Sequence, residues 1–137
     1  MFPEVTMPSN EIYSYMGENQ IYALIHDFYQ ELHNSPIKEM FRDDPRVAAQ
    51  RSAWFFIQIF GGPPLYQQKR GEPRMRSRHL PFQITEAHRQ MWINCFFKIL
   101  ENATTKYNFP EEHLPQFKNY LENFSHWMVA DQDSTAK

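Results

Sequence analysis

The sequence predicts a single all-α domain, and three observations carry that expectation. Apolar residues recur at helical spacing in successive stretches, as at Ile21, Leu24, Ile25, Phe28 and Leu32. No stretch alternates with the period of two that a half-buried strand needs, and no internal repeat is visible. Strong breakers separate the periodic stretches, at Asn34-Ser35-Pro36 and at Gly61-Gly62-Pro63-Pro64. A chain of 137 residues suits one core, so the expected domain spans 1–137, with loose tails at 1–8 and 131–137.

Taken in order, Ser9 or Asn10 caps a short first helix that ends near Gly17. The stripe from Ile21 to Leu32 forms the next helix, with Tyr29 at the edge of its buried face, four residues after Ile25. A brief turn delivers Phe41, and Asp43-Asp44-Pro45 then starts a helix over about 45–60. Its expected stripe is Ala48, Ser52, Phe55, Phe56 and Ile59, small at one end and aromatic at the other. That pattern suits either close approach of a neighbouring helix or room left for something else. Thr85 reads as the N-cap of a helix running to about Lys106, with Trp92, Cys95, Phe96 and Ile99 on one face. Pro110 to Leu114 forms a turn, and Pro115 opens a last helix with Leu121, Phe124 and Met128 inward.

Composition narrows the function. Hydrophobic content of 42% against 22% charged residues marks a globular chain rather than a disordered one. A net charge of −2 argues against general nucleic-acid binding, which needs an excess of Lys and Arg. No apolar run reaches about 18 residues, so no membrane span is expected. The start, MFPEVTMPSN, has neither the charged nor the apolar region of a secretory signal. A lone Cys95 allows no internal disulfide, which fits a reducing cytoplasm. Aromatics make up 16% of residues, enough to fill a core with large side chains or to wall a pocket around a planar guest. Composition does not choose between those two.

The stretch from Gly61 to Trp92 carries the chemistry. Gly61-Gly62-Pro63-Pro64 cannot continue a helix, and the basic residues Lys69, Arg70, Arg74, Arg76 and Arg78 lead into His79. Leu80-Pro81 stops the short helix that carries His79, and Trp92 follows thirteen residues after that histidine. A histidine beside arginines, with an indole on the next helix, suits a flat anionic cofactor such as haem, whose iron takes imidazole and whose propionates take guanidinium. The other histidines, His26, His33, His88, His113 and His126, stand in polar or mixed surroundings and read as solvated or hydrogen-bonded.

In order and spacing, GGPPLY, then G-x-P, then RHLPF, then Trp92, this stretch resembles the group II truncated haemoglobins of bacterial type. The likeness extends more weakly over roughly residues 9–130, with Phe28-Tyr29 as its next match. The resemblance implies a shortened globin fold, a two-over-two helical sandwich around haem b. It implies His79 as the proximal iron ligand, its other ring nitrogen donating to a nearby carbonyl. It places Tyr29 and Trp92 as distal hydrogen-bond donors to a diatomic ligand, with Ala48 and Ser52 beside them. Ala48 cannot donate, and Ser52 is shorter than the family's usual residue there, leaving space that water could fill. Phe41 matches the position that stacks on the haem, while Tyr66 and Arg78 match residues that contact its propionates. Arg74 and Arg76 could share that task, and Phe55, Met75 and Phe82 are further expected haem contacts.

The function so implied is binding of O2, NO or CO at an iron with one open position, in a monomer or weak homodimer. Strong distal donors suit redox chemistry on O2 better than bulk oxygen transport. An enzyme-like alternative, NO dioxygenation or peroxide chemistry, would take electrons from a separate reductase, since the sequence carries no flavin or nucleotide motif. A haem-free helical interaction module is the reading that the Arg78-His79 and Trp92 pattern disfavours.

Overall fold

The computed structural model describes residues 6–41, 44–79 and 82–129, with the side chain of Arg76 outside that set. The expected tail at 131–137, Asp43 of the helix-start signal and the Leu80-Pro81 stop therefore lie outside the described residues, as do residues 1–5. Of the expected tail at 1–8, Pro8 is buried, so the chain is already seated before its first helix. Helices and their connections make up the described residues, with no strand among them.

Helix α1 spans Ile12–His33. The Ser9 hydroxyl accepts a hydrogen bond from the Glu11 N–H at 3.1 Å just before it. At Gly17 the backbone leaves the helix, with φ 79° and ψ 162°, so the expected break is there, although helix resumes at once. A side chain would be strained at that φ. Beyond it Ile21, Leu24, Ile25, Phe28 and Leu32 are buried as the spacing predicts. Helix α1 ends at Asn34, and a 3-10 turn over Lys38–Met40 leads to Phe41.

Helix α2, Pro45–Ile59, begins with Asp44, whose side chain accepts from the Arg46 N–H at 2.9 Å, and with Pro45 in its first turn. The expected stripe needs correction here. Ala49, Ala53, Phe55, Phe56 and Ile57 are buried, whereas Ala48, Ser52 and Ile59 are only half-buried. The cause is that α2 has two working faces, one against α1 and one toward a cavity, and a single stripe cannot describe both. At the end of α2 the Tyr13 N–H donates to the Phe60 carbonyl at 2.9 Å. Gly61, at φ 96°, makes this approach possible, because a Cβ there would lie 1.8 Å from the Asn10 carbonyl oxygen.

Two short helices follow, α3 over Leu65–Arg70 and α4 over Met75–His79. Helix α5, Glu86–Leu100, starts at a reciprocal cap. The His88 N–H donates to the Thr85 hydroxyl, and the Thr85 N–H donates to His88 Nδ1, both at 3.2 Å. It stops well short of Lys106, and a separate α6 spans Ala103–Tyr107. Asn102 leaves the helix (φ −119°, ψ 23°), and its carbonyl accepts from the Lys106 N–H at 2.8 Å and the Thr105 hydroxyl at 3.1 Å. Of these two only the Thr105 hydroxyl is a side-chain group, bonding back to the carbonyl three residues earlier. The redirected chain buries Ala103 and Tyr107, whose hydroxyl donates to Asp27 of α1. A 3-10 turn at Glu111–His113 precedes α7, Leu114–Trp127, with Pro115 in its first turn. Leu121 and Met128 are buried and Phe124 half-buried, joined inside by Phe117 and Tyr120.

The main packing pair is α1 on α2; α1 also meets α5 and α6, α2 meets α3, and α5 meets α7. Between them Phe56, Phe60, Phe96, Phe109 and Phe117 form a ring cluster with centroids 5.1–6.1 Å apart. Part of the aromatic excess thus fills the core, and the rest walls a cavity.

Candidate functional site

A cavity of about 850 Å³ opens between these helices, within the range of ligand pockets. Of the residues singled out from the sequence, eleven line it: His79, Tyr29, Trp92, Ser52, Ala48, Phe41, Tyr66, Arg78, Phe82, Phe55 and Met75. They come from α1 through α5 and the segments between, so only the folded chain brings them together.

His79 closes the short helix α4, and its Nδ1 lies 2.6 Å from the Met75 carbonyl oxygen. A carbonyl can only accept, so Nδ1 carries the hydrogen and Nε2 keeps a lone pair. Burial pushes the imidazole pKa down, the Met75 hydrogen bond opposes this, and the Arg78 charge adds to the fall. The net result is a neutral imidazole, the state that binds metal. The ring of Phe82 lies 6.1 Å from it, on a side chain that is otherwise exposed at the cavity rim. Among the described residues no three His, Cys, Asp or Glu side chains cluster as a metal site. A haem held at His79 would take one protein nitrogen there, its macrocycle supplying the others.

Tyr29, from α1, is fixed by aromatic edges: Phe28 at 5.5 Å and 78°, Phe41 at 6.1 Å and 90°. Burial pushes its phenol pKa up, and the net shift stays upward although a hydrogen bond from Ser52 and the Arg51 charge pull it down. The phenol is thus a neutral donor at ordinary pH. Trp92 packs edge-on against Phe28 (5.5 Å) and Phe96 (5.4 Å) while facing the cavity. Ala48 and Ser52, one turn apart on α2, give this wall its small side chains.

On the basic wall, buried Tyr66 lies under two guanidinium groups, Arg78 at 5.5 Å and Arg70 at 5.9 Å from its ring centre. Phe55 meets its edge at 6.1 Å. Arg78 has work the sequence does not announce. Its Nε donates to the Pro73 carbonyl at 2.7 Å, and its Nη2 to those of Arg70 (2.9 Å) and Glu72 (3.2 Å). Carbonyl partners leave its positive charge uncancelled. Arg74 is outside the cavity lining and pairs with Glu72 at the surface, 3.5 Å away.

Several lining residues escape the sequence reading, among them Arg51, Ile84, His88 and Arg89. Arg89 donates from Nη1 to Glu86 at 2.8 Å, from Nε to Ser125 Oγ at 3.1 Å and from Nη2 to the Glu122 carbonyl at 3.0 Å, latching α5 to α7. Its signal was present: it stands three residues before Trp92, on the same helix face. His88 is legible as a third-position cap partner of Thr85 and so sits near the cavity edge. Of the remaining histidines, His113 lies 3.3 Å from Glu11 and His26 is exposed beside Asp27.

A family profile described as bacterial-like globin matches residues 11–130. The group 2 truncated haemoglobin YjbI of Bacillus subtilis is 37% identical over 95 residues, covering 69% of this chain and 72% of the relative. The crystal structure of phosphate-bound Hell's gate globin IV superposes with a TM-score of 0.84 at 35% identity, covering 94% of this chain and 80% of that one. The truncated oxygen-avid haemoglobin of Bacillus subtilis gives 0.78 at 30% identity over 87% and 98%. The group II truncated haemoglobin of Bacillus anthracis gives 0.77 at 26% identity over 93% of each.

Proposed function

The chain belongs to the bacterial-like globin family, with the two-on-two fold of its truncated haemoglobin neighbours, and from that premise we propose that it binds O2 or another diatomic ligand at one haem b held by His79. The observation that carries this reading is the state of His79: its Nδ1 is tied to a carbonyl and its Nε2 is free of its proton, on the wall of a cavity of about 850 Å³. Haem, when bound, supplies an iron with one position for the ligand. Phe41, Phe55, Met75 and Phe82 offer its faces apolar contact. Arg78 and Tyr66, with Arg70 beside them, stand where a propionate would meet positive charge and a hydroxyl.

Tyr29 and Trp92 would act as hydrogen-bond donors to a ligand held in the cavity, favouring one that carries negative charge. Ala48 contributes no donor and leaves room. Two donors in a sheltered cavity slow ligand loss, which suits chemistry on retained O2, such as NO dioxygenation with electrons from a separate reductase, better than transport. The lone Cys95 is buried and suits a reducing cytoplasm, and no helix among the described residues is long and apolar enough to cross a membrane.

The test is the visible spectrum of protein titrated with haem, with and without CO. One haem per chain is expected, with a shifted band on CO addition. His79→Gly should lose haem or recover its spectrum with added imidazole. An unchanged iron–histidine stretch in that variant would show that another residue binds the iron.

A further inference from the structure

Charge is segregated along this chain. Residues 61–79 hold five of its 14 Lys and Arg but only one of its 16 Asp and Glu, a local balance of +4. The rest of the chain therefore stands at −6, within the overall −2. The fold gathers those cations on α3 and α4, where Lys69, Arg70 and Arg74 are exposed and Arg78 lines the cavity. Lys69 rests over the half-buried Trp54 ring at 5.2 Å, and Arg70 over Tyr66 at 5.9 Å. These rings, like the carbonyls that Arg78 engages, bring no negative charge. The single carboxylate of the segment, Glu72, meets Arg74 at 3.5 Å. Cations already seated on rings lose less side-chain freedom when something docks on them. Three residues past His79, Phe82 adds a ring that is 56% exposed at the cavity rim. Arginines and aromatic rings are the groups in which protein interfaces are enriched.

Chemistry on retained O2 draws its electrons from another protein here, since the sequence has no flavin or nucleotide motif. Electron transfer weakens steeply with distance, so the donor has to dock where the cavity wall reaches the surface. The α3–α4 segment is such a place, because Arg70 and Arg78 belong both to the basic face and to the cavity lining. A basic face on a net-negative molecule also orients its partner. An acidic protein is repelled by most of the surface and drawn to this part of it, which raises the encounter rate and sets the angle of approach. We propose that the α3–α4 face docks an acidic electron-donor protein, one whose carboxylates ring the exposed edge of a reduced flavin or iron–sulfur centre. In the complex that centre gives up one electron and ferric haem becomes ferrous, with no bond made or broken. This rests on the reading of the chain as a haem protein supplied by a separate reductase. The interface is small and transient, as redox encounters are.

The experiment uses the haem-loaded ferric protein and, as probe, a reduced acidic flavodoxin. Stopped flow follows reduction at about 0.1 M ionic strength, where a screening length of about 10 Å lets local charges act and mutes remote ones. Lys69→Glu combined with Arg74→Glu should slow reduction about ten-fold, a loss that fades near about 1 M salt. Glu72→Gln, which removes the segment's carboxylate, should speed it about two-fold. Lys118→Glu, a charge reversal on α7, should stay within about two-fold of the parent. Photoreduced riboflavin, an uncharged reductant, should reduce all of these proteins at one rate. A second readout needs no turnover: in amide NMR of the CO-bound protein, oxidised flavodoxin should shift residues within 65–79 of the parent but not of the double variant. An unchanged flavodoxin rate in the double variant overturns the proposal. So does an equal loss in Lys118→Glu, which would make net charge the cause, or an equal loss with riboflavin, which would place the effect at the iron. Binding to phosphatidylserine vesicles that the double variant loses, with flavodoxin reduction unchanged, would make this face a membrane contact and overturns it too. If the parent takes up no haem, the functional reading fails and this proposal with it. If the parent takes up haem and accepts electrons from riboflavin while the flavodoxin rates ignore the substitutions, only this proposal falls.

Discussion

Replacing Arg78 with alanine removes a brace as well as a charge. The guanidinium holds together the segment between α3 and α4 through the carbonyls of Pro73, Arg70 and Glu72, and rests over the Tyr66 ring. The bonds at 2.7 and 2.9 Å are short, and the third, at 3.2 Å, shares a nitrogen with one of them. Two bonds at about 1 kcal/mol each, in a partly exposed place, with about 0.5–1 kcal/mol from the ring contact, give roughly 2–3 kcal/mol of local stability. That corresponds to roughly a 30- to 150-fold rise in local opening, which native-state amide exchange reads directly. The amides to follow are Gly71, which donates to the Gln67 carbonyl, and Arg78, which donates to that of Arg74. Both should exchange faster in apoprotein and holoprotein alike, while amides inside α5 hold their rates. Haem transfer to a scavenger protein should quicken as well, because α4 carries His79. Unchanged exchange in the apoprotein alongside faster haem loss would refute the brace and leave Arg78 acting on the cofactor alone.

Tyr29→Phe and Trp92→Phe should each raise O2 release by roughly one to two powers of ten, since a hydrogen bond to a charged acceptor contributes about 1.5–3 kcal/mol. CO release should barely change, and the double variant should be non-additive if both donors share one oxygen atom. O2 release unchanged in Trp92→Phe alone would make that indole a packing residue. Gly61→Ala should cost about 3 kcal/mol or more in denaturant unfolding, because the new Cβ would meet the Asn10 carbonyl oxygen at 1.8 Å on a backbone with φ 96°. A loss below about 1 kcal/mol would show that the start of α1 can shift without consequence. At Asp27, burial pushes the carboxyl pKa up, but Tyr107 and Lys106 outweigh it and hold the group below its ordinary value. Its contribution to stability is therefore complete above about pH 4 and lost as pH falls through the folded value. Asp27→Asn should flatten that acid limb of a urea stability profile, and an unaltered limb would assign it to other carboxylates.

The helices were legible where one face meets one neighbour, as along Ile21 to Leu32, and where caps are chemically strong, as at Asp44-Pro45 and Thr85. Periodicity misplaced the α2 stripe because that helix serves the core through Ala49, Ala53 and Ile57, and the cavity through Ala48 and Ser52. It ran α5 into α6 because the break at Asn102 is a change of backbone dihedrals, which leaves no mark on an apolar pattern. At the site, motif spacing located the residues that line the cavity but not what the polar ones touch. Arg78 reaches carbonyls five to eight residues back, and Arg89 reaches across 36 residues to Ser125. Such partners depend on how separate helices are set against each other, which no local run of sequence states.

The latch among Arg89, Ser125 and Glu122 gives the two sides of the cavity different histories. Helices α5 and α7 are joined by bonds among protein groups alone, with the Arg89 side chain only 12% exposed, so their spacing is settled when the chain folds. Helix α4 is five residues long, too short to persist without outside support, and it carries the imidazole. The α5–α7 wall thus owes its form to a bond between distant helices, whereas the α4 wall owes its form to the few carbonyls just behind it that Arg78 and His79 engage.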